Sequence, residues 1–400
     1  MSPRRRSQRW PIALVLTLTL TGCGGSNTAS SQSAQPSASP VGASASAQAS
    51  PAGSGSAAAS SAASPGNFDD LLAAAKKEGK VELLTAPGDL YRKFYDAFSA
   101  KYGIQLDINV GNGQADQVPR VESERQAGQY LWDVVVHSPQ GLFNGYKRLG
   151  ALEPLRPVLL PEIVDDSKWA GGFNAGWADS DKTTVYTFVQ YSEWAAWVNR
   201  DIIPEAQLNK YDQLWDPKWK GKIAWQDPRI PSSAVAKAAA ILKYKGEDKL
   251  RSMFRDQALT ITQDRRQLAE WVLRGQYPIA IGIEQVQFGT FEQQGIKVNV
   301  PPLRDPDPVS ATRASGTGSV GYFNRAPHPN AARFFINWLL SQEGQSTYAN
   351  LTKFNVRRSD VPIVDPDTAV DPKREYLDVG TQESYPFYTQ TLNIAKEMLK

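Results

Sequence analysis

The sequence is poor in the residues that most often carry out chemistry in proteins. Its 400 residues include one cysteine and two histidines. A single cysteine excludes an intrachain disulfide, so packing alone must stabilise the fold. The HExxH and GxSxG patterns of zinc proteases and serine hydrolases do not occur. We therefore expect neither a catalytic activity nor a cofactor.

Charge of one sign is also lacking. The chain carries 44 basic and 41 acidic residues, a formal net charge of +3. This balance gives no basic surface for nucleic acid, and we expect no nucleic-acid partner. After residue 21 there is no run of 18 apolar residues that would suggest a membrane-spanning helix.

The first 22 residues have the layout of an export signal. Four arginines precede residue 10, an uncharged apolar run covers residues 11–21, and Cys23 follows Gly22. The stretch Leu20-Thr21-Gly22-Cys23 resembles the lipobox of bacterial lipoproteins, which implies a diacylated Cys23 and a lipid-anchored, extracytoplasmic protein at the cell surface or in the periplasm. Sec and twin-arginine export both stay open.

Residues 23–66 are expected to be a disordered tether behind the lipidated cysteine. Residues 24–66 are almost entirely Ser, Ala, Gly, Pro and Gln. Such a segment buries too little apolar surface to offset the entropy lost on ordering. As a flexible coil it would reach roughly 35 Å.

Strands and amphipathic helices alternate from residue 67 onward. Asn67 and Gly79 are expected to bound a helix, a strand follows at residues 81–85, and Gly103 ends a second helix. Residues 185–197 are predicted to form one long strand, and 330–340 a strongly amphipathic helix. This alternation predicts an α/β fold with mainly parallel sheets covered by helices on both faces.

Four ordered segments resemble the solute-binding proteins of ABC importers, in particular the branch that includes the ferric-ion binders. The segments are EGKV at 78–81, DPKWKGKIA at 216–224, GQYPIAIG at 275–282 and APHPNAA at 326–332. The resemblance implies a two-lobed type II periplasmic-binding-protein fold whose lobes are joined by a hinge. The expected division places residues 67–185 and 305–360 in lobe I and 186–304 in lobe II, with 361–400 as an optional addition to lobe II.

Ligands in open α/β sheets bind beyond the carboxyl ends of the strands, which nominates the loops of both lobes. The expected ligand-binding residues are Thr85, Asn112, His137, Ser138, Gln190, Tyr191, Trp225, Gln226, Glu284, Gln285 and Arg357. No metal ligand is assigned among them.

The ferric branch has two adjacent tyrosines after the strand that corresponds to residues 279–283. This chain has Glu284 and Gln285 there, a departure that argues against Fe(III) and makes an organic or oxyanionic solute at least as well supported. The GTGSVG run at 316–321 fits a dinucleotide motif only if a strand precedes it and a helix begins on it. Its polar, proline-rich flanks instead predict a loop in the cleft.

We therefore expect a monomeric, membrane-tethered receptor that binds a small molecule or an ion and delivers it to ABC permease subunits. Three alternatives stay open: a surface-anchored hydrolase acting on carbohydrate, a ferric-ion-binding protein within the same family, and an adhesin or sensor without an importer.

Overall fold

A computed structural model describes residues 66–113 and 115–399, so the expected signal peptide, Cys23 and nearly all of the tether lie outside the described residues. Within this part of the chain, no helix combines the length and apolarity needed to cross a membrane. The helices are α1 (Phe68–Glu78), α2 (Asp89–Tyr102), α3 (Gln117–Gln126), α4 (Pro139–Gly141), α5 (Ser233–Lys245), α6 (Glu247–Asp256), α7 (Arg265–Leu273), α8 (Val286–Gln293), α9 (Pro329–Leu340), α10 (Gln342–Thr352) and α11 (Tyr385–Met398). The strands are β1 (Lys80–Thr85), β2 (Gln105–Val110), β3 (Val134–His137), β4 (Leu152–Glu153), β5 (Tyr186–Thr187), β6 (Tyr191–Trp194), β7 (Ala196–Val198), β8 (Ile223–Gln226), β9 (Thr260–Thr262), β10 (Ile279–Ile281), β11 (Ala311–Ala314), β12 (Ser319–Phe323) and β13 (Leu377–Asp378).

The first helix begins and ends where its capping residues predict. The Asn67 side chain accepts a hydrogen bond from the backbone N–H of Asp70, which satisfies a donor that the helix itself leaves unpaired. Gly79 adopts a left-handed conformation with φ 75° and ends the helix. Gly103 ends α2 in the same way, with φ 69°.

The first sheet has the strand order β2-β1-β3-β12-β4, with β5 also paired to β12. Strand β1 runs parallel to β2 and β3, whereas β12 runs antiparallel to β3, β4 and β5. The sheet is therefore mixed, because the chain returns to it through β11 and β12 runs opposite to the strands that it joins.

The second sheet has the order β7-β10-β8-β9. Strands β10, β8 and β9 are parallel, and β7 is antiparallel at one edge. Each sheet has hydrophobic cores on both faces. We call the body around the first sheet lobe I and the body around the second sheet lobe II. Val309, just before β11, and Ile394, in α11, both pack in a core of lobe II, so these two segments contribute to that lobe.

The prediction of one long strand at residues 185–197 was wrong. The segment forms β5, β6 and β7, which belong to three different sheets. Strand β6 pairs with β11 in a separate three-stranded sheet of order β13-β11-β6. The chain thus leaves the first sheet at β5, passes through this small sheet and enters the second sheet at β7. We call β6 and β11 the crossing strands.

Candidate functional site

A cavity of about 510 Å³ lies between the loops of the two lobes, beside the crossing strands. We call it the polar cavity, because 14 of the 23 residues that line it carry a hydroxyl, amide or charged group. Lobe I contributes the loops after β2 and β3 and the start of α2. Lobe II contributes the start of α5, the start of α7 and the loop after β10. Its polar lining includes Tyr91, Asn112, Ser138, Gln140, Tyr191, Glu193, Ser232, Ser233, Arg265, Glu284, Ser315, Thr317, Tyr385 and Tyr388.

A second cavity of about 460 Å³ shares four lining residues with the polar cavity. The shared residues are Tyr191, Glu193, Glu284 and Phe354. We call it the apolar cavity, because its remaining walls are rich in Trp, Ile, Val and Pro. These walls include Trp194, Trp197, Ile283, Val286, Pro301 and Pro302. Together the two cavities form a cleft that changes from polar to apolar at the shared residues.

A buried ion pair connects lobe II to the crossing strands behind this junction. The Lys237 ammonium on α5 donates to the Glu193 carboxylate at 2.6 Å, to the Glu193 carbonyl at 3.1 Å and to the Thr312 hydroxyl at 2.7 Å. The two charged side chains are 1% and 8% exposed. With all three of its protons donated, the Lys237 charge is fully compensated within the protein.

Arg265, at the first turn of α7, is held by three neighbours. It donates to the Glu284 carboxylate at 3.2 Å and to the Ser233 hydroxyl at 3.2 Å. When the Gln226 side-chain amide is oriented so that its oxygen and nitrogen both have suitable partners, the Gln226 amide oxygen accepts a hydrogen bond from Arg265 Nε at 2.9 Å. The guanidinium is therefore fixed toward the polar cavity, and its side chain remains 35% exposed.

The pKa of Glu284 is raised, first because burial disfavours its charged form and then because the Glu193 carboxylate is near. The positive charges of Arg265 and Lys237 oppose this shift. The junction thus holds two acidic and two basic side chains, each acid paired with one base.

Tyr191 forms the aromatic wall of the junction. Its ring stacks on Phe354 with a centroid separation of 5.3 Å. Burial raises the pKa of the Tyr191 phenol well above its usual value, and the charges of Glu193 and Glu284 act in the same direction. The neutral phenol is therefore strongly favoured over the phenolate.

Five of the sequence-predicted residues line the cleft. Asn112, Ser138, Tyr191 and Glu284 border the polar cavity. Gln285 borders the apolar cavity. Tyr191 and Glu284 border both cavities and lie at their junction.

The structure places Thr85, His137 and Trp225 away from both cavities. The Thr85 hydroxyl shares a hydrogen bond with the Tyr95 hydroxyl at 2.8 Å inside lobe I. His137 Nδ1 accepts from the backbone N–H of Ser138, and Nε2 lies 3.2 Å from the Gly111 carbonyl. Burial lowers the pKa of His137, which favours its neutral form. The ring connects the loop after β2 to the loop after β3. Trp225 is fully buried in a core of lobe II, because alternate residues of a strand face opposite sides.

Gln190, Gln226 and Arg357 lie near the cleft without lining either cavity. Gln226 acts on the cleft indirectly, because it holds Arg265. Arg357 is 3% exposed and donates to Gln190 at 3.3 Å and to the Ala170 carbonyl at 3.0 Å. These two residues border a separate space of about 10 Å³, enough for one water molecule.

Sequence reasoning missed Glu193, Lys237 and Arg265. Arg265 follows β9, a three-residue strand too short for a periodic pattern to reveal. Glu193 lies inside the segment that was predicted as one strand. Because the segment changes sheet at β6, the direction of the Glu193 side chain could not be predicted from one continuous strand. An available signal was Asp264, an N-cap that accepts from the backbone of Arg266 and Gln267 and thereby marks Arg265 as the first residue of a helix.

The profile of the bacterial extracellular solute-binding proteins matches residues 93–372, which include both lobes and the crossing strands. The chain belongs to this family. Its members capture solutes outside the cytoplasm, so the protein is an extracytoplasmic solute-binding protein, as the four sequence segments predicted. An uncharacterized protein of Haemophilus influenzae is 23% identical over 253 residues, which is 62% of this chain and 69% of that protein.

Solved structures with the same fold include several iron-binding proteins. Iron-bound HitA from Pseudomonas aeruginosa is 19% identical, with a TM-score of 0.58 over 80% of this chain and 99% of its own. FutA2 from Synechocystis and the Bordetella ferric binding protein are 17% and 18% identical, each with a TM-score of 0.62 over 80% of this chain and 98% of its own. This likeness confirms the two-lobed periplasmic-binding-protein fold.

Proposed function

We propose that the protein captures one small organic solute between its lobes, performs no chemistry on it, and delivers it to an ABC permease. The observation that carries this proposal is the polar cavity, which takes its lining from both lobes and from the crossing strands. A ligand in that position contacts both lobes, so it favours their closed arrangement and gives a permease two shapes to distinguish. The crossing strands are then the hinge, and a lipid on Cys23 keeps the monomeric receptor near its permease.

The chemistry of the cleft supports an organic solute over a ferric ion. Fe(III) is a hard cation that prefers anionic oxygen donors. Here Glu193 and Glu284 are each paired with a basic side chain, and Glu284 and Gln285 stand where the ferric branch has two adjacent tyrosines. The similarity to iron-binding proteins therefore extends to the fold and not to this donor set.

The experiment is to purify the full chain without denaturation and to identify co-purifying solutes by native mass spectrometry. We expect a bound organic molecule, and its removal should lower the melting temperature. Adding ferric salt to the stripped protein should produce neither a visible phenolate-to-iron band nor a thermal shift. A ferric band would contradict the proposal.

A cleft variant tests whether the solute lies between the lobes. Asn112 is an exposed loop residue at the polar cavity, so Asn112→Trp should fill the cavity and abolish solute binding without unfolding lobe I. Asn209→Trp is the matched control, because Asn209 is exposed on lobe II and lines neither cavity. Equal binding by both variants would place the solute elsewhere.

The pair Glu193 and Glu284 also supports a second candidate, a glycoside hydrolase that uses one protonated and one ionised carboxyl group. The raised pKa of Glu284 fits the acid, and Glu193, which pairs with Lys237, would be the second carboxyl group. Arg265, however, pairs with Glu284 and opposes its protonation. We expect no nitrophenol release from a panel of nitrophenyl glycosides, and turnover that is lost in Glu284→Gln would favour the hydrolase.

A further inference from the structure

The two carboxylates at the junction of the cavities are only half satisfied by the protein. Lys237 donates to Oε2 of Glu193, and Arg265 donates to Oε1 of Glu284. The other oxygen of each carboxylate accepts no hydrogen bond from the described residues, and both residues border the two cavities. A ligand in the cleft can therefore donate a hydrogen bond to each of these oxygens.

Aromatic rings surround the same position. Tyr191 and Phe354 stack on each other at the junction that both carboxylates line, and Trp194 and Trp197 border the apolar cavity. Ring faces attract cations, and the hydrocarbon walls formed by Ile283 and Val286 accept an apolar body. The junction therefore combines anionic acceptors with aromatic faces and opens on one side into an apolar space.

The charge of the ligand follows from these acceptors. An anion between Glu193 and Glu284 would face both carboxylates. A neutral hydroxyl has one proton to donate, so it would leave one carboxylate oxygen unpaired. An ammonium group has three donors and one positive charge, and it also lowers the mutual repulsion between the two acids.

We propose that the captured solute is an organic amine, with its ammonium group between Glu193 and Glu284 and its hydrocarbon body against Trp197, Ile283 and Val286. This inference rests on the proposed function, because it names the solute class of the same cleft. The raised pKa of Glu284 agrees with it, since a bound cation stabilises the charged carboxylate.

The test uses three probes that share one phenylethyl body and differ in the head group: phenethylamine, phenethyl alcohol and hydrocinnamate. Isothermal titration of the full chain at pH 7 should give phenethylamine the highest affinity. The advantage over phenethyl alcohol should be roughly ten- to hundredfold, the value of charge-assisted hydrogen bonds. Equal or tighter binding of the alcohol or the acid, or binding of none of the three, would overturn the inference.

Glu284→Gln tests the carboxylate itself. The variant should weaken phenethylamine binding by about tenfold and leave phenethyl alcohol binding unchanged, because only the charge-assisted bond is lost. Glu292→Gln is the matched control, since Glu292 is exposed on the nearby helix α8. Glu284 lies on a partly exposed ion pair, so its change should leave the fold intact, which a thermal melt verifies. Unchanged phenethylamine affinity in Glu284→Gln would contradict the assignment.

The two proposals fail in different ways. A co-purifying solute without a basic nitrogen would overturn the amine and leave solute capture intact. If no solute from a growth-medium extract binds the stripped protein, the proposed function itself fails.

Discussion

The two lobes are packed from different side chains. In lobe I, α2 and α9 meet through a cluster of aromatic rings. The ring centroid of Phe98 lies 4.9 Å from that of Trp338 and 5.1 Å from that of Phe335. In lobe II, α5 is buried mainly through alanines between Ala234 and Ala240. Aromatic rings bury large areas and pack with specific geometry, whereas small side chains let a helix approach its neighbours closely.

The lobes also differ in what they bring to the cleft. In the polar cavity, lobe I contributes neutral groups such as Asn112 and Ser138, whereas Arg265 and Glu284 come from lobe II. We propose on this basis that lobe II selects the charge of the solute and that lobe I closes over it. Changes in the core of lobe I should therefore alter stability, and changes in the charged groups of lobe II should alter binding.

The largest effect is expected in the ring cluster. Phe98→Ala removes a fully buried ring with four aromatic neighbours and should lower the free energy of unfolding by about 3–5 kcal/mol. Urea denaturation measures the loss, and titration of the folded variant should show unchanged solute affinity. A loss below about 1 kcal/mol would mean that the cluster rearranges to fill the cavity.

A somewhat smaller effect is expected for Lys237→Met in lobe II, at about 3 kcal/mol. Removing one partner of a buried ion pair leaves the other charge uncompensated, and Glu193 borders the cleft, where water limits the cost. Unlike Phe98→Ala, this variant should also change solute affinity, because it removes the donor to Oε2 of Glu193 and leaves both carboxylate oxygens available to the solute. Combining it with Glu193→Gln should recover part of the stability. No recovery in the double variant would show that the pair does not act as a unit.

The sequence predicted what depends on local signals and missed what depends on the pairing of distant strands. The caps Asn67 and Gly79 act within a few residues, so the bounds of α1 were predictable. The segment 185–197 has one β-like pattern but pairs with three sheets, and no local feature records a change of partner. Trp225 was nominated because it lies near a strand end, yet the pleat turns its side chain into the core and leaves Gln226 to hold Arg265.

The smallest expected effect concerns a buried ion pair in lobe I that does not line the cleft. Asp179 is 1% exposed; burial alone would raise its pKa, but hydrogen bonds from Lys147 and Thr184 lower it to about 2. Since the folded-state pKa lies below the usual 3.8, the stabilisation is fully present above pH 4 and is lost as the pH falls toward 2. This shift corresponds to roughly 2 kcal/mol.

Asp179→Asn tests that pair and, with it, the contrast between the lobes. The variant should be less stable than the wild type at pH 7, and the difference should shrink as urea unfolding is repeated from pH 4 down to pH 2. Asp181→Asn is the matched control, because Asp181 contacts the same lysine but is 58% exposed, and its removal should cost little. Solute affinity at pH 7 should be the same in both variants. A change of affinity in Asp179→Asn would show that a buried charge in lobe I also reaches the cleft, and the division of roles between the lobes would then be wrong.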